Sequence, residues 1–193
     1  PAGYLLRAGL ALGADQAAEA IGLLKQASEL DPTMVRPVLG LANIHFAQQE
    51  LKQAAAWYDR ALQVAPGSPD VRVARGQFLF ATGDPEEGRK EFQEAVELSP
   101  DQERIRLVLA DRYVALGRRD DAEQELAGLI ADMNSYRARK ALAELKLTAG
   151  QVAETKPLVN AILEADEHDP VGIYFKGRIA LAGNDLLQAG GLF

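Results

Sequence analysis

The sequence predicts an all-α protein, an alpha-alpha superhelix or solenoid of stacked helix-turn-helix hairpins. Three prolines, Pro32, Pro66 and Pro100, lie 34 residues apart, and each follows the end of an apolar helical pattern. Small and large side chains recur at fixed places within that period, and glycines recur where the first helix of a hairpin should end. Self-similarity at a period of about 20 to 50 residues is the signature of a repeat architecture.

The 34-residue period divides the chain into six units that form one array over residues 1–193. The units are residues 1–34, 35–68, 69–102, 103–135, 136–169 and a partial 170–193. The eighth and twentieth places of the units hold small residues, including one threonine, and the twenty-fourth place holds a large residue. A hairpin of this kind buries too little surface to be stable alone, so stacking on its neighbours is expected. The three columns are Ala8, Ala42, Gly76, Ala110, Ala143 and Gly177; Ala20, Ala54, Gly88, Ala122, Thr155 and Ala189; and Leu24, Tyr58, Phe92, Leu126, Val159 and Phe193.

The expected turns carry the residues that helix ends require. Gly83, Gly117 and Gly150 share the fifteenth place of their units, where a left-handed residue ends a helix. A capping side chain followed by proline in the first helical turn marks where several helices begin. These pairs are Ser68-Pro69, Asp84-Pro85 and Asp169-Pro170. No alternating strand pattern competes with the helical interpretation.

Composition excludes several classes of function. The formal net charge of −7 disfavours a nucleic-acid partner, because phosphate binding depends on clustered Lys and Arg. Without any cysteine, the chain has no disulfide or thiolate chemistry, although this does not indicate a compartment. No stretch approaches the roughly 18 to 20 apolar residues that span a bilayer, so we expect no direct membrane insertion by this segment. The chain starts at Pro1 and stops inside a repeat at Phe193, so we expect it to be a piece of a longer protein.

Over essentially its whole length the chain resembles tetratricopeptide repeats. The clearest stretches are Leu41-Ala42 to Pro66, Gly76 to Pro100, and Ala110 to Ala122. The chain departs from the family pattern in places, and we expect the array to bend at the fourth and fifth units. The departures are Asn134 and Glu167 in place of the closing proline, His45 in place of an aromatic residue, and Leu129 and Ile162 in place of the docking alanines Ala27, Ala61 and Ala95.

The resemblance implies a concave groove, lined by the first helix of each hairpin, that binds a peptide or a partner helix. The groove would be mixed in charge. One subgroup of the family clamps the C-terminal carboxylate of chaperones with Lys and Asn, but the matching places here hold Leu5, Gly9, Asp70 and Ala74, so that ligand is disfavoured. The groove-facing places are Arg36, Leu39 and Asn43; Asp70, Val73 and Gln77; Arg104, Leu107 and Asp111; Arg137, Lys140 and Glu144; and Tyr174 and Arg178.

Arginines recur in the first turn of these first helices, where a cation opposes the helix dipole. One interpretation is local pairing with acids such as Asp70, Asp101, Glu103 and Asp132, which is the usual role of surface cations. The other is a ladder that receives carboxylates of a partner. The second place holds Arg36, Arg104 and Arg137, and the fourth holds Arg72, Arg106 and Arg139.

Residues for catalysis or metal binding do not form a recognisable set, so we predict no enzyme activity, no cofactor and no metal. His45 lies on the apolar face of a helix, which favours a core or groove residue over a ligand. The acidic loop at residues 164–169, which contains His168, lacks the spacing of a calcium loop and favours a solvated linker over a cation site. Trp57 has two interpretations, packing between units or an exposed anchor for a partner, with packing favoured.

The leading functional hypothesis is a non-catalytic protein-protein interaction scaffold in a larger bacterial protein. A run such as residues 175–182 is similar to those in envelope-assembly and exopolysaccharide-system repeat proteins. The alternative is a docking or regulatory arm of an enzyme whose catalytic domain lies elsewhere, since fold does not fix function. The apolar end at residues 191–193 also allows end-to-end self-association. Periplasm, envelope and cytoplasm all stay open.

Overall fold

A computed structural model describes residues 1–183, and this part of the chain contains eleven α-helices and no strand. This confirms the all-α prediction. None of the eleven is long and apolar enough to cross a membrane. The helices are α1 (Ala2–Gly13), α2 (Ala17–Leu30), α3 (Val35–Ala47), α4 (Leu51–Val64), α5 (Pro69–Thr82), α6 (Pro85–Leu98), α7 (Gln102–Ala115), α8 (Arg119–Met133), α9 (Tyr136–Thr148), α10 (Val152–Ala165) and α11 (Pro170–Ala182).

The helices fall into two compact units, Pro1–Gln102 and Glu103–Phe193. Unit 1 contains three hairpins, α1–α2, α3–α4 and α5–α6, and each hairpin packs on the next. In unit 2, α9 and α10 form a hairpin that packs against α8 on one side and α11 on the other. Within each unit, these helices therefore pair inside a hairpin and between neighbouring hairpins, as the 34-residue period requires.

The repeated columns form the core. Every described member of the three columns is buried, and Ala20, Ala54 and Phe92 have no exposed surface. Helices α5 and α6 approach each other closely, since a Cβ at Gly76 would come within 2.9 Å of the Phe92 ring and one at Gly88 within 2.6 Å of the Phe80 ring. Glycine at these places is thus required by the packing. The column members Ala189 and Phe193 lie outside the described residues.

Unit 2 keeps the pattern with different side chains. Leu129 and Ile162, which replace the docking alanines, are fully buried. Thr155 fits the small column because its hydroxyl donates to the Gln151 carbonyl oxygen at 2.9 Å, which satisfies the polar group inside the core. The substitutions therefore change the volume of the core without exposing it.

The turn inside each described hairpin uses a left-handed residue at the fifteenth place. Gly83, Gly117 and Gly150 have φ values of 96°, 71° and 74°, which confirms the prediction for these glycines. The same place holds Asp15 with φ 59° and Gln49 with φ 62°. Sequence reasoning missed these two turns because neither residue is glycine, and glutamine is an unusual residue in the left-handed region.

The predicted caps are present. Ser68, Asp84 and Asp169 each accept a hydrogen bond from the backbone N–H three residues later, at 3.4, 3.3 and 2.7 Å. Ser135 caps α9 in the same way, accepting from the N–H of Ala138 at 3.0 Å, and its hydroxyl donates to Glu103 at 2.6 Å. Capping side chains thus mark the starts of α5, α6, α9 and α11.

Candidate functional site

In unit 1 the predicted groove residues lie on α3 and α5 with different exposures. Arg36 and Asn43 are exposed, while Leu39 and Gln77 are half-buried. Val73 is only 7% exposed, so its side chain belongs to the core and offers almost no surface to a partner. The sequence does not predict this burial, because an apolar residue suits both a groove and a core.

Asn43 is held in place by a residue of the neighbouring helix. The buried Tyr58 of α4 donates its hydroxyl hydrogen to Asn43 Oδ1 at 2.6 Å. Burial raises the pKa of Tyr58 to about 12, so the hydroxyl keeps its proton and remains a donor at neutral pH. The exposed amide of Asn43 is therefore oriented from within the core, as a preorganised hydrogen-bonding group would be.

In unit 2 the first helices α7, α9 and α11 carry the remaining predicted residues. On α7, Arg104 and Asp111 are exposed and Leu107 is half-buried. On α9, Arg137 is exposed near the start of the helix. The other four predicted residues, on α9 and α11, form part of one contact cluster.

We call this the α9–α11 cluster, and it consists of two sets of contacts on neighbouring first helices. The Lys140 ammonium lies 2.5 Å from the Asp169 carboxylate and 4.5 Å from the centre of the Tyr136 ring. One turn along α9, Glu144 accepts a hydrogen bond from Arg178 at 3.0 Å. The Arg178 guanidinium carbon in turn lies 5.7 Å from the centre of the Tyr174 ring. The cluster is Tyr136, Lys140, Glu144, Asp169, Tyr174 and Arg178.

Charges in the cluster are balanced at neutral pH. Burial alone would raise the pKa of Asp169, but hydrogen bonds from Lys140 and from the Gly172 N–H hold it below its usual value. Burial and the Asp169 carboxylate raise the pKa of Tyr136 to about 12, so this phenol stays neutral. Two cations, Lys140 and Arg178, therefore face two carboxylates.

Tyr174 and Glu144 are the accessible members of the α9–α11 cluster. Tyr174 is 48% exposed and the Glu144 side chain 47%, whereas Lys140 and Arg178 are more enclosed. The surface thus offers an aromatic ring, a carboxylate and fixed hydrogen-bonding groups, which suits contact with another protein chain. Sequence reasoning missed Tyr136 and missed the pairing of Asp169 with Lys140, because only folding brings the start of α11 beside α9.

The fourth-place arginines act inside their own hairpins. Arg72 of α5 pairs with Glu91 and Glu94 of α6, at 3.1 and 2.6 Å. Arg106 of α7 pairs with Glu125 and, at 2.9 Å, with Asp132, both on α8. Local pairing is therefore what these two arginines do, and their partners include Asp132, one of the acids expected. Arg139 differs, since it donates to Asn134 at 2.5 Å.

The remaining candidates have structural contacts. His45 Nδ1 lies 2.5 Å from Glu50 Oε2, at the turn between α3 and α4. Trp57 is half-buried and packs against three core clusters of unit 1, which contain Leu41, Tyr58 and Ala61 respectively. This agrees with the packing interpretation. In the acidic loop, Asp166 and Asp169 accept backbone N–H groups. Within residues 1–183 no three possible metal-binding side chains converge.

Comparison with known families decides the identity of this repeat. A family model described as Tetratricopeptide repeat matches residues 11–78 and 79–134, which is more than half of the chain. The chain belongs to the tetratricopeptide repeat family. Stacked repeats of this kind present extended surfaces for binding, and the chain is accordingly a protein-interaction scaffold.

Curated relatives of this tetratricopeptide chain are much longer than the chain itself. Cellulose synthase operon protein C of Pseudomonas fluorescens (strain SBW25) is 27% identical over 173 residues, which cover 83% of this chain and 13% of that protein. A TPR repeat-containing thioredoxin, TTL4 of Arabidopsis thaliana, is 36% identical over 84 residues, or 44% of this chain and 12% of the relative. The first of these supports the resemblance to envelope-system repeat proteins.

Solved structures of other tetratricopeptide proteins share the fold. The type IV pilus biogenesis factor PilW is 21% identical with a TM-score of 0.64, covering 98% of this chain and 88% of that one. Pseudomonas aeruginosa pilF is 19% identical with a TM-score of 0.68, covering 98% and 87%. At these identities the likeness concerns the fold alone.

Proposed function

We propose that the chain is a non-catalytic scaffold that binds a peptide or partner protein on the surface of its first helices, as part of a larger bacterial assembly or secretion protein. The α9–α11 cluster carries the proposal, because it unites four of the residues predicted to contact a partner. Its ion pairs hold Tyr174 and Glu144 in place before a partner arrives, which lowers the entropic cost of binding. An exposed tyrosine beside an arginine is also typical of residues that dominate binding energy.

Two comparisons support the biological setting. Cellulose synthase operon protein C matches 83% of this chain, and PilW, which shares the fold, is a pilus biogenesis factor. A third similar structure is that of YrrB, a TPR protein with an unusual peptide-binding site, which is 19% identical with a TM-score of 0.53. We propose both the assembly role and peptide binding for this chain.

A photo-crosslinking experiment tests the proposal. A photoreactive phenylalanine analogue replaces Tyr174 in one sample and the exposed Lys156 of α10 in another, and each is irradiated in extract of the source organism. We expect a partner protein to be cross-linked from Tyr174 on the first-helix surface but not from Lys156 on a second helix. Arg178→Gln should reduce that cross-link several-fold, because it removes the hydrogen bond to Glu144 and the contact with the aromatic ring at position 174.

The matched control is Arg89→Gln. Arg89 also forms an exposed pair with a glutamate, Glu86 at 3.3 Å, but lies on the second helix α6. Arg89→Gln should leave the Tyr174 cross-link unchanged. Equal cross-linking from Tyr174 and Lys156, or equal loss in both arginine variants, would contradict binding on the first-helix surface.

A second candidate is a docking arm of an enzyme. Two curated relatives have names of that kind, the TPR repeat-containing thioredoxin TTL4 and the human Protein O-mannosyl-transferase TMTC1, of which the chain covers 12% and 11%. The reading frame around the coding segment distinguishes the two candidates. An adjoining catalytic domain favours the docking arm, and a further run of repeats favours the assembly scaffold.

A further inference from the structure

A small cleft in unit 2 lies where the end of α7 and the start of α8 meet α9. Its volume is about 220 Å³, and the residues that line it are Val114, Gly117, Arg119 and Leu145. We call it the α7–α9 cleft. The Val114 side chain is 47% exposed, whereas Leu145 is 7% exposed and belongs to the core. The cleft therefore joins a solvent-accessible apolar side chain, a core side chain and one cation.

In unit 1 the chain itself fills the equivalent places. Val114 holds the twelfth place of its hairpin and Leu145 the tenth place of the next hairpin, and in unit 1 these places hold Phe46 and Phe78. The ring centres of Phe46 and Phe78 lie 5.5 Å apart in an edge-to-face arrangement, which is a favourable geometry for two aromatic rings. An aromatic ring at the twelfth place thus covers the tenth place of the following hairpin in unit 1.

Unit 2 lacks a ring at this place. Valine is smaller than phenylalanine, so the half-exposed Val114 leaves open space beside Leu145. A cavity of about 150 Å³ already accommodates a benzene molecule, and the α7–α9 cleft is larger than that. The shape of the cleft therefore favours one aromatic side chain as its occupant.

Arg119 adds a requirement for charge. It is the charged residue among the four that line the cleft, and within residues 1–183 it forms no ion pair. The preceding Arg118 differs, since it pairs with Asp121 at 2.7 Å and lies 5.0 Å from the centre of the Tyr113 ring. Asp120 follows Arg119 in the sequence but does not line the cleft. An occupant with a carboxylate beside its aromatic ring would therefore be favoured over a basic or neutral one.

We propose that the α7–α9 cleft is an anchor pocket for a partner protein, which inserts one aromatic side chain against Val114 and Leu145 and places a carboxylate next to Arg119. The inserted ring would take the place that Phe46 fills in unit 1. Aromatic anchors that fill such pockets carry much of the binding energy of many interfaces. This contact is additional to the proposed binding on the α9–α11 cluster and does not depend on it.

A short peptide of this chemistry, acetyl-Glu-Phe-Glu-amide, is a suitable probe. Its binding to the whole chain is followed through the NMR shifts of the backbone amides of Gly117, Arg119 and Leu145. We expect saturable shifts with a Kd on the order of 1 mM, because one ring and one carboxylate make few contacts. The peptide acetyl-Glu-Ala-Glu-amide, which lacks the ring, should bind at least about tenfold more weakly.

Val114→Phe and Ala127→Phe are matched variants. Val114→Phe supplies the ring from within the chain, as Phe46 does in unit 1, and should weaken binding of the phenylalanine peptide at least about tenfold. Ala127→Phe adds the same ring at an exposed position of α8 that does not line the cleft, and should bind as the wild type does. Circular dichroism verifies that both variants fold.

The charge requirement is tested separately at exposed positions, where substitution should not disturb folding. Arg119→Gln should weaken binding of the phenylalanine peptide several-fold and flatten its dependence on salt, because it removes the cation that attracts the carboxylate. Lys156→Gln on α10 removes an exposed cation outside the cleft and should leave both the affinity and its salt dependence unchanged.

Several results would overturn the proposal. They are shifts at the three amides that do not saturate, equal binding by the Val114→Phe and wild-type chains, and equal binding of the phenylalanine and alanine peptides. Sedimentation equilibrium that shows a dimer dissociated by Val114→Phe would also overturn it, since a second copy would then occupy the cleft. None of these results affects the cross-link expected from Tyr174, so failure of the anchor pocket is distinguishable from failure of the α9–α11 cluster.

Discussion

The Arg106 guanidinium lies directly over Gly128, so that a Cβ added at Gly128 would come within 2.6 Å of Nη2. Gly128 on α8 thereby lets Arg106 on α7 reach both Glu125 and Asp132. The glycine costs helix stability on its own, by about 0.5 to 1 kcal/mol relative to alanine. Glycine at this place therefore lowers the helix propensity of α8, but it leaves room for the Arg106 side chain to cross α8 and form its ion pairs.

Gly128→Ala should accordingly have opposite effects in two backgrounds. In the wild type it displaces Arg106 from its carboxylates, so we expect no gain in the free energy of unfolding or a small loss. In an Arg106→Leu background the same change should stabilise the chain by about 0.5 to 1 kcal/mol. Urea unfolding of the four proteins of this cycle gives the coupling energy. Equal effects in both backgrounds would show that the contact has no energetic role.

Gln49→Gly should stabilise unit 1. Gln49 has φ 62°, a left-handed conformation that costs a non-glycine residue about 1 to 2 kcal/mol. Gln49→Gly relieves this strain, but the flexibility of glycine in the unfolded chain offsets part of the relief. We therefore expect a net gain of about 0.5 to 1 kcal/mol in the free energy of unfolding.

The adjacent Gln48 is the control for this substitution. Its φ is −81°, which suits any residue, so Gln48→Gly should destabilise the chain by a few tenths of a kcal/mol or more. Asp15→Gly should gain less than Gln49→Gly, because aspartate tolerates the left-handed region better. Thermal and urea unfolding both report these differences, and a loss of stability in Gln49→Gly would contradict the expectation.

Glu91→Ala should be strongly destabilising. The Glu91 side chain is 6% exposed and pairs with two arginines of α5, Arg72 at 3.1 Å and Arg75. Removing one partner from a buried ion pair costs about 3 kcal/mol or more, because the remaining charges stay desolvated. Glu94→Ala removes the other ion pair of Arg72. Because the Glu94 side chain is 53% exposed, this change should cost at most about 1 kcal/mol of unfolding free energy. Similar losses of stability in the two variants would refute this ordering.

Stability should depend on pH through Asp169. Its pKa is held below the usual 3.8, so the folded state binds its proton less readily than the unfolded state. The resulting stabilisation is present above the unfolded pKa and is lost as the pH falls through the lower, folded pKa. Asp169→Asn keeps an oxygen for the Gly172 N–H but loses the charge. We expect this variant to be less stable than the wild type at pH 7, and the difference in the free energy of unfolding to become smaller below about pH 3.8.

Lys140→Met tests the cause of that pH dependence. Lys140 is the residue whose hydrogen bond lowers the pKa of Asp169 most. Without it, the same acidic part of the stability curve should flatten, as measured by urea unfolding from about pH 2 to neutral pH. A curve identical to that of the wild type in both variants would show that the pair does not control acid unfolding.

The sequence predicts the hairpins because each repeated place has one packing solution. Ala54 and Tyr58 are determined by backbone distance and core volume, and Gly83 by its left-handed turn, all of which recur every 34 residues. The surface is less predictable, because the partner of a charged residue depends on which helices become neighbours. For Arg72 the sequence suggests a nearby acid such as Asp70, and it is the packing of α5 on α6 that brings Arg72 to Glu91.

The candidate site shows the same limit. Groove places identify Lys140, Glu144 and Arg178 as surface residues of first helices. They do not show that Lys140 pairs with Asp169 or that Arg178 pairs with Glu144. Val73 illustrates the reverse case, since a place that faces a groove in the family is buried here. Both results depend on the exact angle between neighbouring helices, which the repeat period alone does not determine.

The α5–α6 hairpin has a consequence for how unit 1 folds. Its two helices approach through Gly76 and Gly88, begin with capping side chains at Ser68 and Asp84, and share the ion pairs of Glu91. These contacts are local in sequence, so they form early at little loop-closure cost. We expect this hairpin to be the nucleus on which α3 and α4 condense, and its amides to be the last of unit 1 to exchange with deuterium.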